Sequence, residues 1–402
     1  MANPLPHPLR IVWLIAGDED AGAAQAVSGL AKGVRQMGVL PAAASLVEGP
    51  FCKRLRTEGV NVEVVAGGGV LPTLEGPLWR KSLKQLQIQR MSRNMRPAVA
   101  ALLRRMRADV VHVLWPSMMP LAGWVAAELG VPCFWEPPTA QGRYLLRINE
   151  KILRAVVDRY HINILASSQF TARALGYCRR SPALLYLGAD EQRFDPARVV
   201  PVKRGEIGIP DDAIVFGIFA RLTPEKGQAI ALEAIAQLPP QLGDTHLLLL
   251  GGPCDGAFAG MLRRLADRWD MGGRLHLVGN VPDPERYYGA VDVAINARVD
   301  AEPFGLSVVE AMMMGKPVLV HALGGPAETV LDGVTGWHVP EPTVAALRLG
   351  FERVIEDRSR WAEMGRAGRH RASGDFSLRK QAETYQRAAA AACNLRRPLD
   401  ST

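Results

Sequence analysis

The chain has 402 residues, a length that predicts two domains. Its 48% hydrophobic and 22% charged residues describe an ordinary globular protein with ample core and exclude a chain too polar to fold. A formal net charge of +8 leaves an anionic substrate, nucleic acid and an acidic membrane surface open as partners.

In chain order, the first apolar run is IVWLIA (11–16), too short for the apolar region of an export signal and read as a strand. Further strands are predicted at 109–115, 131–135, 161–167 and 183–187 in the first half. The second half adds 214–220, 245–252, 274–279, 291–297 and 317–322. These runs are continuously apolar rather than alternating, the pattern of parallel strands covered on both faces. Helix-length segments separate them, among them 22–37, 226–238, 256–270 and 306–314. The order, repeated twice, predicts an α/β protein of two Rossmann-like, doubly wound domains facing a central cleft. The predicted divisions are 1–195, 196–375 and a closing helical segment, 376–402, that crosses back to the first domain, with the seam in the Pro-, Gly- and charge-rich stretch 186–212.

The five cysteines (Cys52, Cys133, Cys178, Cys254, Cys393) are scattered and never form a CxxC pair, which argues against a disulfide framework and a zinc site and fits a reducing cytoplasm. No apolar stretch approaches the roughly 20 residues needed to span a bilayer. His112 and His276 fall inside predicted strands and read as core histidines, and no histidine pair is close in sequence.

In doubly wound sheets ligands bind beyond the carboxyl ends of the strands. In the second half those ends carry Arg221, Gly251-Gly252, Asn280, Glu302 and Gly324-Gly325. Arg221 and Lys226 stand at a strand-to-helix turn, a good seat for phosphate oxygens; as ordinary solvated loop cations they would need no ligand. In EPFGLSVVE, two carboxylates, Glu302 and Glu310, are eight residues apart, roughly 12 Å if all helical. Retaining glycosidases hold nucleophile and acid about 5 Å apart, so this pair reads as two contacts to one long ligand. The alternative is a solvated Glu302 and a core Glu310 bonded to a neighbour such as Lys316.

The segments ARLTPEKG (220–227), LLLLGGP (247–253), LHLVGNVPDPERYYGAVDVAINA (275–297), EPFGLSVVEAMMMGKPVLVHALGGPAETVLDGVTGWHVP (302–340) and the helix from Phe376 together resemble the GT-B nucleotide-sugar glycosyltransferases, most closely the retaining glycosyltransferase family 4 type. The resemblance spans roughly residues 190–390. It implies transfer of a sugar from a UDP- or GDP-sugar to a hydroxyl of a glycan or lipid-linked acceptor, with same-face attack and no metal or other cofactor. Arg221 and Lys226 would neutralise the donor diphosphate and Glu302 would contact the donor sugar, making these three the catalytic candidates. Donor-binding candidates are Gly22, Gly252, Asn280, Val281, Phe304, Gly305, Leu306 and Glu310, the last toward the ribose. Glu328 matches a recurrent glutamate read as structural. Two other readings share the fold: a catalytically silent nucleotide-sugar-binding or scaffold protein, and a phosphorylase.

The first half matches more loosely. Its glycine-rich loop keeps Gly22 but lacks the usual paired glycines, and Trp135-Glu136 stand where relatives often carry a histidine near the acceptor. Trp135 is therefore a candidate to stack on an acceptor sugar, and Glu136 to position its hydroxyl. The acidic run Asp18-Glu19-Asp20 reads as a solvated loop cluster rather than a metal site.

From Gly76 to Ala108 the chain has nine Lys and Arg and no acid, with Leu83, Leu86, Ile88, Met91 and Met95 at helical spacing, Trp79 at one end and Pro97 breaking the run. Residues 79–107 thus predict either a basic amphipathic helix for an anionic membrane surface, a solvated face, or a grip on an anionic acceptor. Nucleic acid is not expected, because aromatics are few and no reader motif is present. The expected location is the cytoplasm, peripheral on the inner face of the plasma membrane.

Overall fold

The computed structural model describes residues 7–18, 22–72, 78–138 and 148–394. They divide into two compact units, Met1–Gly188 with Leu378–Thr402, and Ala189–Ser377.

The first unit contains a seven-stranded sheet. Its elements are β1 (Arg10–Ile15), α1 (Gly22–Gln36), β2 (Leu40–Ser45), α2 (Pro50–Thr57), β3 (Asn61–Val64), α3 (Leu78–Arg105), β4 (Val110–Val113), α4 (Met119–Leu129), β5 (Cys133–Trp135), α5 (Ile148–Tyr160), β6 (Asn163–Ala166), α6 (Gln169–Ala174) and β7 (Ala183–Leu184). The sheet order is β3-β2-β1-β4-β5-β6-β7, parallel at every pairing. Its central strands are apolar because helices cover both faces. Val12, Leu14, Val111 and Val113 point to one core, and Ile11, Trp13, Ile15 and Val110 to the other.

The second unit continues with β8 (Ile214–Phe219), α7 (Gln228–Ala236), β9 (Thr245–Leu250), α8 (Ala257–Arg268), β10 (Leu275–Gly279), β11 (Val293–Asn296), α9 (Leu306–Met313), β12 (Val318–His321), α10 (Pro326–Thr329), β13 (Gly336–Val339), α11 (Val344–Glu356) and α12 (Trp361–Asp375). These strands form a six-stranded parallel sheet, β10-β9-β8-β11-β12-β13. The winding reverses between β8 and β11, so the loops following these two strands flank the switch point, where doubly wound sheets take their ligands.

The last helix, α13 (Leu378–Asn394), belongs to the first unit. It buries Ala382, Tyr385, Ala389 and Ala392, a spacing of three and four that lines one helical face. Tyr385 joins Trp13, His112 and Phe134 in an aromatic cluster, its ring 5.4 Å from that of His112.

Three strands were not predicted. β2 is mostly alanine, β3 is a short edge strand of mixed polarity, and β13 reads GWHV. Each lacks the continuous run of large apolar residues by which the others were predicted, and pairing with a neighbour makes it a strand. Pro97, expected to end a helix, lies inside α3. Its residue is exposed, so the carbonyl one turn back that loses its N–H partner can turn to water. Histidines distant in the sequence do meet in the fold: β9 and β10 lie side by side and bring His246 Nδ1 within 2.8 Å of His276 Nε2.

Candidate active site

β8 ends at Phe219, and the chain turns through Arg221 into a single 3-10 turn (Pro224–Lys226) before α7. Gly227 joins the turn to the helix with φ of +73°, and a Cβ there would lie 1.9 Å from the Ala297 carbonyl oxygen. Only glycine allows both this backbone angle and this approach. The loop after β8 is thereby pressed against the loop after β11. Arg221 is exposed, and its carbonyl accepts a hydrogen bond from Gln228 Nε2 at 2.8 Å.

Across the switch point, β11 leads into Arg298, Asp300 and Glu302. Lys226 Nζ donates to Glu302 Oε2 at 3.1 Å, and Arg298 Nη1 donates to the same oxygen at 3.2 Å. Arg298 also grips Asp300 through Nε and Nη2, the latter bond at 3.1 Å. This bond holds the Asp300 carboxyl below its ordinary range. The Arg298 carbonyl accepts from His321 Nδ1 at 2.8 Å, which places the proton of that imidazole on Nδ1.

A second close approach sets Glu302 itself. Gly324 has φ of +92°, and a Cβ on it would fall 2.1 Å from the Glu302 carbonyl oxygen. Gly325 donates its N–H to that carbonyl at 2.8 Å, and its own Cβ would lie 2.4 Å from Phe304 Cα. The loops after β11 and β12 therefore touch backbone to backbone. Gly305 caps α9 with φ of +88°, and Leu306 is the helix's first residue. The first N–H groups of a helix lack intrahelical partners and carry partial positive charge. Phe304 is buried, its ring edge on Phe376 at 5.9 Å.

Because α9 begins at Leu306, the helical reckoning of about 12 Å between Glu302 and Glu310 does not apply to the whole segment: residues 302–305 form the loop that packs on β12's end. Glu310 is buried on α9. It faces Tyr288 rather than Lys316. The Tyr288 hydroxyl is in hydrogen-bonding contact with the Glu310 carboxylate and lies 3.2 Å from the Ser307 carbonyl. Burial first, and then that carboxylate, push the phenol well above its ordinary range. The charges that act on Lys316 are those of Asp292 and Arg204. Tyr288 is itself fully buried, stacked on Phe219 at 3.8 Å.

After β10, Asn280 is exposed and lies over Gly252, with Nδ2 2.7 Å from where a Cβ would stand; Val281 is half-buried beside it. Glu328 belongs to α10, and its carbonyl accepts from Arg371 Nη2 at 2.9 Å, tying α10 to α12. The second unit thus brings Arg221, Lys226, Glu302, Phe304, Gly305 and Leu306 to the loops around one switch point. Glu310 stands one turn into α9, and Gly252, Asn280 and Val281 follow the neighbouring strands.

In the first unit, Gly22 is the exposed first residue of α1, and nothing lies within 4 Å of a Cβ placed there. Of the acidic run only Asp18 is described; Glu19 and Asp20 lie outside the described residues. Trp135 does not present a stacking face. It is 0% exposed, with Nε1 donating to the Leu114 carbonyl at 2.8 Å, because β5 points it into the core. Glu136 is also buried, and burial raises its carboxyl to about 7. Its Oε2 is 3.5 Å from His112 Nε2, too long for a good hydrogen bond. His112 Nδ1 is 3.1 Å from the Tyr385 hydroxyl, and burial lowers the imidazole to about 3.

Arg298 and Tyr288 were not anticipated. Arg298 obeys the same rule as the candidates, an ionisable group just beyond a strand end, and the loop ARVDAE carried that signal. Tyr288 sits in the mixed segment PERYYGA with nothing to mark it.

On α3, Ile88 and Met95 are buried and Met91 packs against the core, while Leu83 and Leu86 are 60% and 63% exposed. Arg90 and Arg93 are exposed beside them. Arg96 and Arg104 each bond Glu128 at 2.7 Å, and Arg105 bonds Glu63. The side chains of Trp79, Arg80 and Lys81 lie outside the described residues. No described helix is long and apolar enough to cross a membrane.

The family described as glycosyl transferases group 1 matches residues 200–371. A GDP-mannose-dependent α-(1-6)-phosphatidylinositol monomannoside mannosyltransferase of Mycolicibacterium smegmatis is 30% identical over 302 residues, 70% of this chain and 78% of that protein. The lipopolysaccharide core biosynthesis glycosyltransferase LpsE of Rhizobium meliloti is 29% identical over 188 residues, 47% of this chain and 53% of that one. Among solved structures, Anabaena HepE in complex with UDP and glucose superposes with a TM-score of 0.77 at 21% identity, covering 95% of this chain and 100% of that one. The two parallel-sheet units have the GT-B fold. By sequence, the chain belongs to the glycosyl transferases group 1 family and is a glycosyltransferase.

Proposed function

We propose that this enzyme moves a sugar from a UDP- or GDP-sugar to a hydroxyl of a glycan or lipid-linked acceptor, with retention at the anomeric carbon. The observation that carries the reading is Lys226 Nζ on Glu302 Oε2 at 3.1 Å, beside exposed Arg221, at the switch point of the six-stranded sheet. Cleavage of the donor builds negative charge on the leaving phosphate and positive charge on the anomeric carbon. Arg221 and Lys226 neutralise the first, the work a metal ion does in other glycosyltransferases, and so lower the barrier. Glu302 accepts hydrogen bonds from sugar hydroxyls. The N–H groups of Phe304, Gly305 and Leu306 face sugar and phosphate, Glu310 takes the ribose, and Asn280, Val281 and Gly252 lie toward the base. In this reading no protein carboxylate attacks the sugar: the acceptor hydroxyl attacks from the face the phosphate leaves, and the phosphate oxygen takes its proton. Gly22 leaves the N-terminus of α1 open to an anion.

A lipid-linked acceptor is supported by the relative that acts on phosphatidylinositol monomannoside and by the exposed Leu83, Leu86, Arg90 and Arg93 of α3, a face suited to an anionic membrane surface at the cytoplasmic side. Released nucleotide, measured with UDP- and GDP-sugars with and without a membrane extract, tests the proposal. Turnover that needs the extract and is lost in Glu302→Ala is the expected result. Turnover unaffected by that change, or inorganic phosphate serving in place of nucleotide, overturns it.

A further inference from the structure

We infer that Arg298 is a positioning residue of the donor site: it holds the Glu302 carboxylate so that Lys226 can leave it for the donor diphosphate. The inference rests on the donor site proposed above.

Both cations converge on one oxygen. Lys226 and Arg298 donate to Glu302 Oε2 at 3.1 and 3.2 Å, and no described residue donates to Oε1. The side chains of all three are 14–20% exposed. A carboxylate so covered needs a partner, and removing its only one leaves an uncompensated charge. If Lys226 alone held Glu302, its move to a phosphate would strand the carboxylate, and the donor would bind against that cost.

The two cations differ in how they are held. Lysine is a point charge on a flexible stem, and arginine is a rigid fork. Among the described residues, Lys226 Nζ bonds to Glu302 alone. Arg298 is fixed by the two-point grip on Asp300 and by the His321 bond to its carbonyl. With its charge matched by Asp300, Arg298 stays with the carboxylates while Lys226 turns to the phosphates. What then remains beside the sugar is Arg298 against Glu302 and Asp300, one net negative charge near the carbon where positive charge develops. Burial works against the Arg298 charge, but Asp300 and Glu302 hold its guanidinium above the ordinary range.

The test is calorimetric titration of UDP and of GDP, without sugar, into wild type, Arg298→Gln, Arg298→Lys, Glu302→Gln and the Arg298→Gln/Glu302→Gln double variant. The expected result is that Arg298→Gln weakens binding of the preferred nucleotide about tenfold, because Glu302 now holds Lys226 more tightly. The double variant restores binding to within about twofold of Glu302→Gln, since the carboxylate that competes for Lys226 is gone. Arg298→Lys falls between. A purely structural role for Arg298 would leave the double variant as weak as Arg298→Gln, and that outcome overturns the inference, as does Arg298→Gln binding like wild type. Should Arg298→Gln not fold, Arg298→Lys with and without Glu302→Gln gives the same decision. Failure of wild type to bind either nucleotide would remove the donor-site reading itself, and with it this inference.

Discussion

Lys226 and Glu302 are 76 positions apart, yet the lysine Nζ donates to the glutamate Oε2 at 3.1 Å. The contact joins the loops on either side of the sheet's winding reversal, and it rests on Gly227 lying against the Ala297 carbonyl.

Lys226→Ala removes one of two cations proposed for the leaving diphosphate. The expected loss is about 10²–10³-fold in kcat/KM, the range for deleting one preorganised charge-stabilising group. Circular dichroism should show the fold retained, since Arg298 still pairs with Glu302. Steady-state kinetics within threefold of wild type would refute the role.

Gly325→Ala places a methyl group 2.4 Å from Phe304 Cα. The backbone of 302–305 must shift, so a stability loss of about 2 kcal/mol or more is expected. Nucleotide binding should fall further than stability alone explains, because Glu302 and the start of α9 move with that backbone. Urea unfolding together with calorimetry separates the two effects.

Tyr288→Phe removes the hydroxyl that meets Glu310 and the Ser307 carbonyl. A buried acceptor losing its donor costs about 1–3 kcal/mol. If Glu310 binds ribose from a position set by Tyr288, the variant should also weaken UDP or GDP binding. An unchanged unfolding midpoint and unchanged affinity would show that water replaces the hydroxyl.

Glu136 and His112 give stability terms of opposite sign with pH. The Glu136 carboxyl, at about 7, is raised above its unfolded value, so the native chain holds that proton more tightly. Its contribution is full below about pH 4.5 and is lost as pH rises to about 7, by about 3 kcal/mol. His112, at about 3, is lowered, so the native state loses stability as pH falls below about 6.5. Glu136→Gln should therefore gain on wild type as pH rises from 4.5 to 7, and His112→Gln should gain as pH falls from 6.5. Urea midpoints at pH 5 and 7 check both; parallel curves for all three proteins would refute the burial of either group.

Much of this architecture was legible in the residues. Long apolar strands such as IVFGIF and THLLLL predict a parallel sheet buried on both faces, because continuous burial admits no polar alternation. The same reading placed Arg221, Lys226 and Glu302 at strand ends, since loop positions are where a packed sheet leaves ionisable groups accessible. β2 and β3 were missed because alanine and mixed-polarity residues become strands only beside a partner.

The sequence by itself therefore determined the class of fold, the family and the placing of Arg221, Lys226 and Glu302 beyond strand ends. Local patterning and ordered motifs are properties of the chain before it folds. The tertiary structure decided the pairings: Arg298 joining Lys226 on one oxygen of Glu302, Tyr288 rather than Lys316 beside Glu310, Trp135 turned into the core, and His246 against His276. The first depends on the close backbone approaches at Gly227, Gly324 and Gly325, and the last on the register of β9 and β10. Through-space distance between residues far apart in the chain exists only once those contacts are made.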